Sequence, residues 1–371
     1  MKKRSGVSPV KLAIVYDWVD KFGGAEQLLL SLHRLFPKAP LFTTIYNRKN
    51  SPWANCFKVI PSWLDKLPWP KKHELLTPIL PLAVESLDFS DFNVVISVSS
   101  SFAKGIITQP NTLHICYCLS PTRFLWQDRL LYEGRLPMVV KELAKPIFFY
   151  LREWDKIAAH RPDYFVAISK YVAQGISQTY HRNVIEVIYP PIANANNDSL
   201  IKTSNKKKNY FLIVSRLVPY KRVDIVIKAF SQLNFRLKIV GSGMEMSTLK
   251  QIAGDNIEFL GKVSEPEKTI LYAGAIAVII PQREDFGLVG LEANSYGIPV
   301  LAFAAGGNLE TVIDGVTGRF FSSQTPEAIA QAIISTDFSQ YLSLNCKKHA
   351  QAFSYANFNK KWRDILKGIP Q

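Results

Sequence analysis

Cysteine is scarce in this chain, with four residues in 371. Cys56, Cys116, Cys118 and Cys346 are too few and too scattered for a disulfide-stapled fold, and the expected compartment is the reducing cytoplasm. Cys116 and Cys118 form a C-x-C in an apolar run, and without a second Cys/His pair at zinc spacing they read as packed thiols. No apolar run approaches the roughly 20 residues of a bilayer span, so the chain is expected not to cross a membrane. The N-terminus is basic and then apolar, but Lys11 interrupts the run and Asp17 ends it, which argues against a signal peptide. Acidic residues are outnumbered, 30 against 45 Lys and Arg, leaving a formal charge of +15. That balance points to an anionic partner: nucleic acid, an anionic membrane, or a phosphorylated ligand. What the chain does have is apolar residue, 47% of the total, which is enough for a large core. Its length suggests about two domains at roughly 150 residues each.

The first half alternates strand-like and helical stretches. KLAIVYDW reads as the first strand, and GGAE then turns into the helix EQLLLSLHRLF. Gly23 and Gly24 stand where backbone can approach a ligand, although a plain tight turn explains a Gly-Gly equally well. APLFTTIY, FNVVISVSSS and TLHICYCL follow as strands. Such alternation predicts a parallel sheet with ligands at the C-terminal strand ends. Between these strands, Trp63, Leu64, Leu67 and Trp69 mix with Lys66, Lys71 and Lys72. Trp with Lys fits a segment lying on a bilayer surface, and the alternative is a Pro-rich loop and helix packed on the sheet. FVAIS, KYVAQGISQTY and VIEVIYPP give a further strand, helix and strand. Residues 192–209 are then polar, rich in Asn and Lys, and read as a linker.

The α/β pattern restarts at NYFLIVSRL. Arg216 and Lys221 bracket a strand-to-helix loop, SRLVPYKRVD. A rigid guanidinium fork and a mobile ammonium five apart can close on one diphosphate. The run GAIAVII is a buried strand and LEANSYGIP a helical pattern closed by Gly297 and Pro299. The loop between them carries Glu284, Asp285 and the turn Phe286-Gly287, and Glu292 lies early in the helix. A helix N-terminus after glycine, at Phe286, Gly287 and Leu288, offers backbone N–H groups to a phosphate. Carboxylates beside such a site accept hydrogen bonds from hydroxyls. Sugar, phosphate and ribose in a row make a nucleotide sugar. The tail carries Phe353, Phe358, Trp362 and Ile365 at helical spacing.

Glu284 and Glu292 at Glu-x7-Glu, with FGL between them and EANSYGIPVLAFAAGGNLETVIDGVTG following, resemble the donor motif of retaining GT-B glycosyltransferases of family 4. The resemblance runs over nearly the whole chain. It implies an α/β, GT-B fold: two Rossmann-like parallel-sheet domains facing across a cleft. Residues 1–190 would form the acceptor-side domain, completed by the C-terminal helix 355–371, and residues 191–354 the nucleotide-sugar-binding domain. Arg216 and Lys221 would bind the donor diphosphate and stabilise the leaving nucleotide. Glu284 would hold sugar hydroxyls and Glu292 ribose hydroxyls. Gly241, Gly243, Lys262 and Val263 resemble the loops that hold the base, and Gly23 and Gly24 would lie against the donor phosphate. Arg123 and Trp126 in SPTRFLW resemble a stretch of family members that handle mannose-like donors. The family usually has a His two residues before that Pro; here the position is Leu119, and His114 is no evident substitute. Asp17, after the first strand, fits either an acceptor-side carboxylate or a strand cap.

Asp-x-Asp, the pair with which many transferases hold a metal, does not occur in the chain. Arg216, Lys221 and the helix N-terminus would supply the positive charge instead. The expected partners are therefore a nucleotide-sugar donor, GDP-mannose before a UDP-hexose, and a glycan or lipid-linked acceptor of cell-envelope polysaccharide synthesis. No cofactor and no metal are expected, and the anionic inner face of the cell membrane is the expected surface. A nucleotide-sugar epimerase should carry His or acidic bases, and the Glu-x7-Glu context argues against it. A basic nucleic-acid-binding protein would lack the acidic pair beside the basic pair. A family member that binds a nucleotide sugar without turnover is a third alternative, given Leu119.

Overall fold

The computed structural model describes residues 10–67, 73–134, 138–192 and 209–368. Trp69, Lys71 and Lys72 of the Trp/Lys segment, and nearly all of the expected linker, lie outside the described residues. The chain divides into two compact units, Met1–Ile188 and Tyr189–Gln371, parting beside the Pro190-Pro191 pair.

Among the described residues, the first unit is built on seven parallel strands: β1 (Leu12–Tyr16), β2 (Leu41–Thr43), β3 (Val59–Pro61), β4 (Val94–Ser99), β5 (Leu113–Cys118), β6 (Tyr164–Ala167) and β7 (Val184–Val187). Their spatial order is β3-β2-β1-β4-β5-β6-β7. Every residue of β4 is buried, as a strand covered on both faces requires. Cys116 and Cys118 are buried on β5, packing as expected.

The second unit holds six parallel strands: β8 (Tyr210–Val214), β9 (Arg236–Val240), β10 (Ile257–Gly261), β11 (Ala275–Ile280), β12 (Val300–Phe303) and β13 (Gly318–Phe321). Their order is β10-β9-β8-β11-β12-β13. Each sheet thus grows one way from its first strand and then the other way from its fourth. The reversal points, β1 beside β4 and β8 beside β11, are where open parallel sheets bind ligands.

Strand alternation feeds two cores in the second unit. Ala277 and Ile279 of β11 join one buried cluster with Phe211, Ile227 and Phe230. Val278 and Ile280 join the other with Tyr272, Ala293 and Val300. Each Val, Ile or Phe side chain among these contributes about 1.5–3 kcal/mol on leaving water. Local signals start the helices: Ser264 and Glu267 form a reciprocal capping box for Glu265–Ala273, and Thr325 caps Pro326–Ile334. Gly290 lets the helix Leu288–Ser295 come close to β11, since a Cβ there would sit 3.3 Å from Ile280. The last helix, Tyr355–Gly368, buries Phe358 and Trp362.

The described part of the Trp/Lys segment departs from the bilayer expectation. Leu64 is buried in the first unit's core and Leu67 packs against it, so those side chains are taken by the sheet. Trp63 alone among these described apolar residues is exposed. Among the described residues no helix is long and apolar enough to cross a membrane.

His114 is a core histidine. It is fully buried on β5, with Nε2 at 2.8 Å from Ser97 Oγ. Burial, followed by the nearby guanidinium groups of Arg161 and Arg182, pushes its pKa from the ordinary 6.5 down to about 3. The unfolded chain therefore takes up this proton first as pH falls. Stability from this site is intact above about 6.5 and drains away as pH drops toward about 3. A His114→Gln variant is expected to show a shallower fall of thermal midpoint over that window; equal slopes in the two proteins would contradict the assignment.

Candidate functional site

The loops leaving β8 and β11 bring the predicted basic and acidic residues together. Lys221 ends a single 3-10 turn, Pro219–Lys221, where Arg222 turns the chain through the left-handed region at φ 50°. This turn aims Lys221 Nζ at Glu284 Oε1, 2.6 Å away, and both side chains are largely buried. Gln282 Nε2 donates to the same carboxylate oxygen. Arg216, exposed to solvent, donates to the hydroxyl of Tyr220. Arg216 Cζ and Lys221 Nζ lie 5.9 and 5.4 Å from the centroid of the Tyr220 ring, so one aromatic ring gathers both cations.

Glycines set how closely these loops approach one another. Gly241 has φ 130°, and a Cβ on it would fall 1.8 Å from the carbonyl oxygen of Ser215; one on Gly243 would fall 2.1 Å from that of Leu217. The loop after β9 therefore lies directly on the Arg216 loop, joined by Leu217 N–H to Ser242 O at 3.0 Å. Gly241 and Gly243, expected to hold a base, here position the Arg216 loop with their backbone. Gly306 and Gly307 do the same for Glu284. A Cβ on Gly306 would meet Glu284 O at 2.4 Å, and Gly307 N–H donates to that oxygen at 2.8 Å. Gln282, Tyr220 and Asn308 were not singled out from the sequence, and Gly306 and Gly307 entered only as part of the longer motif. The signal was the Gly-Gly after β12, inside the same motif as Glu284.

Gly287 caps the helix Leu288–Ser295 at φ 100°, and among the described residues no side chain caps its first turn. That leaves the N–H groups at Leu288 suited to an anion. Phe286 contributes backbone only: its side chain is buried, stacked on Tyr189 at 5.4 Å and against Phe353 at 5.8 Å. Gln282 Oε1 and Asn308 Oδ1 are buried acceptors without a partner among the described residues. Unsatisfied acceptors of this kind, beside a carboxylate, suit a hydroxyl-bearing ligand.

Glu292 sits on the second turn of that helix. Its Oε2 accepts from Tyr272 at 2.9 Å and lies 3.7 Å from Lys268. Burial first, and then the Glu292 charge, raise the pKa of Tyr272 well above the phenol range, so it remains a donor. For Lys268, burial works to lower the pKa, but the carboxylates of Glu292 and Glu265 outweigh it and the net shift is upward. Glu292 is thereby held as an oriented carboxylate. Lys262 is exposed after β10, while Val263 packs on the core.

In the first unit, Gly23 caps the helix Gly24–Leu35 in extended backbone, without a side-chain cap among the described residues. Beneath it Glu26 is buried and accepts from Tyr16 at 2.7 Å. Burial holds the Glu26 carboxyl above its ordinary range. Asp17 is a loop cap: its oxygens accept from Ser100 N–H at 2.8 Å, Ser100 Oγ at 2.9 Å, Phe102 N–H at 2.8 Å and Ala103 N–H at 2.6 Å. It is buried, which fits the strand-cap alternative. The indole N–H of Trp126 donates to buried Asp155 Oδ2 at 2.8 Å. Asp155 also accepts from Lys104, Thr122 and Tyr180, so this buried network fixes the SPTRFLW loop. Arg123 lies 3.9 Å from Asp128 on that loop.

Residues 195–353 match the family described as Glycosyl transferases group 1. That match lies in the second half of the chain and holds the Lys221–Glu284 pair. An uncharacterized glycosyltransferase of Methanocaldococcus jannaschii is 28% identical over 235 residues, 61% of this chain and 64% of the relative; the chain thus spans under two thirds of that relative's length. A GDP-mannose-dependent alpha-(1-6)-phosphatidylinositol monomannoside mannosyltransferase of Mycolicibacterium smegmatis is 35% identical over 138 residues, 32% of this chain and 36% of the relative. The Anabaena HepE structure with UDP and glucose superposes with a TM-score of 0.70 at 18% identity, over 97% of this chain and all of HepE. At that identity the likeness speaks to fold, and the fold is GT-B.

The close approach of the loops gives a graded test. Gly241→Ala forces a methyl into a carbonyl and is expected to destabilise by about 3 kcal/mol or more. Gly315→Ala, also at positive φ but with open space around it, is expected to cost only about 1 kcal/mol. Urea unfolding of both variants checks this, and equal losses would contradict the packing argument.

Proposed function

We propose that the chain transfers a hexose from a nucleotide sugar to a glycan or lipid-linked acceptor in cell-envelope polysaccharide synthesis, with retention of configuration and without a metal. The observation that carries this reading is the Lys221–Glu284 pair at the end of β8 and β11, 2.6 Å apart. An ammonium for phosphate and a carboxylate for hydroxyls are thereby held side by side, at the place where such sheets take nucleotides.

In the proposed reaction the bond from the anomeric carbon to the diphosphate oxygen breaks, and the electron pair leaves with the nucleoside diphosphate. Lys221, Arg216 and the N–H groups at Leu288 offset that growing negative charge. The acceptor hydroxyl adds to the anomeric carbon on the face the diphosphate leaves. Its proton passes to the departing phosphate oxygen, so no protein nucleophile is required. Glu284 holds hydroxyls of the sugar, and Glu292, fixed by Tyr272, holds those of the ribose. Charge offset of this type is worth about 3–4 kcal/mol per well-placed donor.

Mannose from GDP-mannose is the favoured donor. The SPTRFLW stretch and the GDP-mannose-dependent relative from Mycolicibacterium support it. A UDP-hexose is the second reading, favoured by the likeness to HepE bound to UDP and glucose. The proposed workplace is the cytoplasm, at the inner face of the membrane.

Glu284→Gln is expected to lower transfer by roughly a hundredfold or more while nucleotide binding stays near wild type. Radiolabelled sugar transfer and nucleotide titration read the two effects separately, and near-normal transfer would remove Glu284 from this role. A thermal-shift panel of GDP- and UDP-sugars, run with and without chelator, selects the donor. A shift that vanishes on chelation would overturn the metal-free reading.

A further inference from the structure

We infer that the helix Met138–Ala158, with the short helix Arg129–Glu133 before it, is a docking surface for an anionic lipid bilayer. The helix is anchored at one end only. Leu151, Trp154, Asp155 and Ala158 are buried, three and four residues apart, and fix its C-terminal turns to the first unit's core. Toward its start the same helix exposes large apolar side chains: Met138 at 83%, Leu143 at 72% and Phe149 at 62%, with Leu130 at 82% just upstream. Surface apolar residues scattered singly need no account, but this many on one segment do.

The pattern selects the occupant. Val140, Leu143, Ile147 and Tyr150, all exposed, fall three or four apart and form one stripe. A stripe alone would suit a partner helix. Met138, at the helix start, and Phe149, just past its middle, lie off that stripe, so apolar surface is presented on more than one side of the helix. A helix end that enters an apolar phase is wetted in this way, and a two-helix seam is not. Lys145 and Lys156 stand on the same helix, 61% and 50% exposed; they pair with their i−3 neighbours Glu142 and Glu153, and Lys156 also lies 5.9 Å from the centroid of the Trp126 ring. Exposed pairs of that kind hold weakly, so the ammonium groups can turn to lipid phosphates while their stems cover apolar surface. The chain as a whole carries +15. A second copy brings the same sign, and an anionic bilayer the opposite one. The surface is distinct from the Trp63 segment, where Leu64 and Leu67 are taken by the core.

The inference stands apart from the donor reading, because its test reads binding and not turnover. Full-length protein is floated with vesicles of phosphatidylcholine, with and without phosphatidylglycerol. Wild type is expected to float with the anionic vesicles, and the double variant Leu143→Glu/Phe149→Glu to bind them roughly tenfold or more weakly. Both positions are exposed, so the variant should keep the wild-type thermal midpoint and nucleotide affinity. Undiminished binding by the variant would overturn the inference, and so would a wild type that floats with neither vesicle. Loss of binding in Trp63→Ser alone would move the contact to the other segment. Sedimentation showing a wild-type dimer that the double variant dissolves would assign the face to a second copy instead.

Discussion

A lysine and a glutamate 2.6 Å apart, on loops from two neighbouring strands, are the contact around which the second unit is arranged. Lys221 follows β8 and Glu284 follows β11, sixty-three residues apart in sequence. They meet because β8 and β11 are adjacent in the sheet, at the position where its order reverses. Any other strand order would part them. The pair is largely shielded from water, which strengthens the attraction and also makes either partner costly to leave alone. A ligand that offers phosphate to the lysine and hydroxyls to the glutamate replaces each partner with another of the right sign.

Backbone packing makes that meeting possible. Four loops converge at the ends of β8, β9, β11 and β12, and glycine lets them touch main chain to main chain. Gly241 and Gly243 seat the loop after β9 on the Arg216 loop, and Gly306 and Gly307 seat the loop after β12 on the Glu284 loop. The glycines act on the ligand site through the residues they position. The first unit shows the same economy with side chains: Asp17 ties the end of β1 to the loop after β4 by accepting from three backbone N–H groups and the Ser100 hydroxyl.

Much of this was legible in the sequence, for definable reasons. Strands such as AIAVII and VVISVS are short runs rich in Val and Ile with no charged residue, so their existence and parallel pairing followed from pattern alone. Arg216, Lys221, Glu284 and Glu292 were legible because charge stands out beside buried strands. Side-chain direction was not legible. Phe286 falls inside a ligand-like motif yet points into an aromatic cluster with Tyr189 and Phe353, partners that no local pattern announces. The indole N–H of Trp126 is held by Asp155, on the helix Met138–Ala158, a partner twenty-nine residues away that no local pattern announces. The apolar face of Met138–Ala158 was hidden because an amphipathic period does not say which side remains uncovered.

The central claim is that Lys221 is poised to hold a diphosphate beside Glu284. Calorimetric titration of GDP and UDP into wild type and Lys221→Met, with the nucleosides guanosine and uridine as controls, tests it most directly. Loss of one charge-assisted contact is expected to weaken the better-bound diphosphate at least about tenfold, with the nucleosides unaffected. A Lys221→Met protein that binds the diphosphate as tightly as wild type would contradict the account.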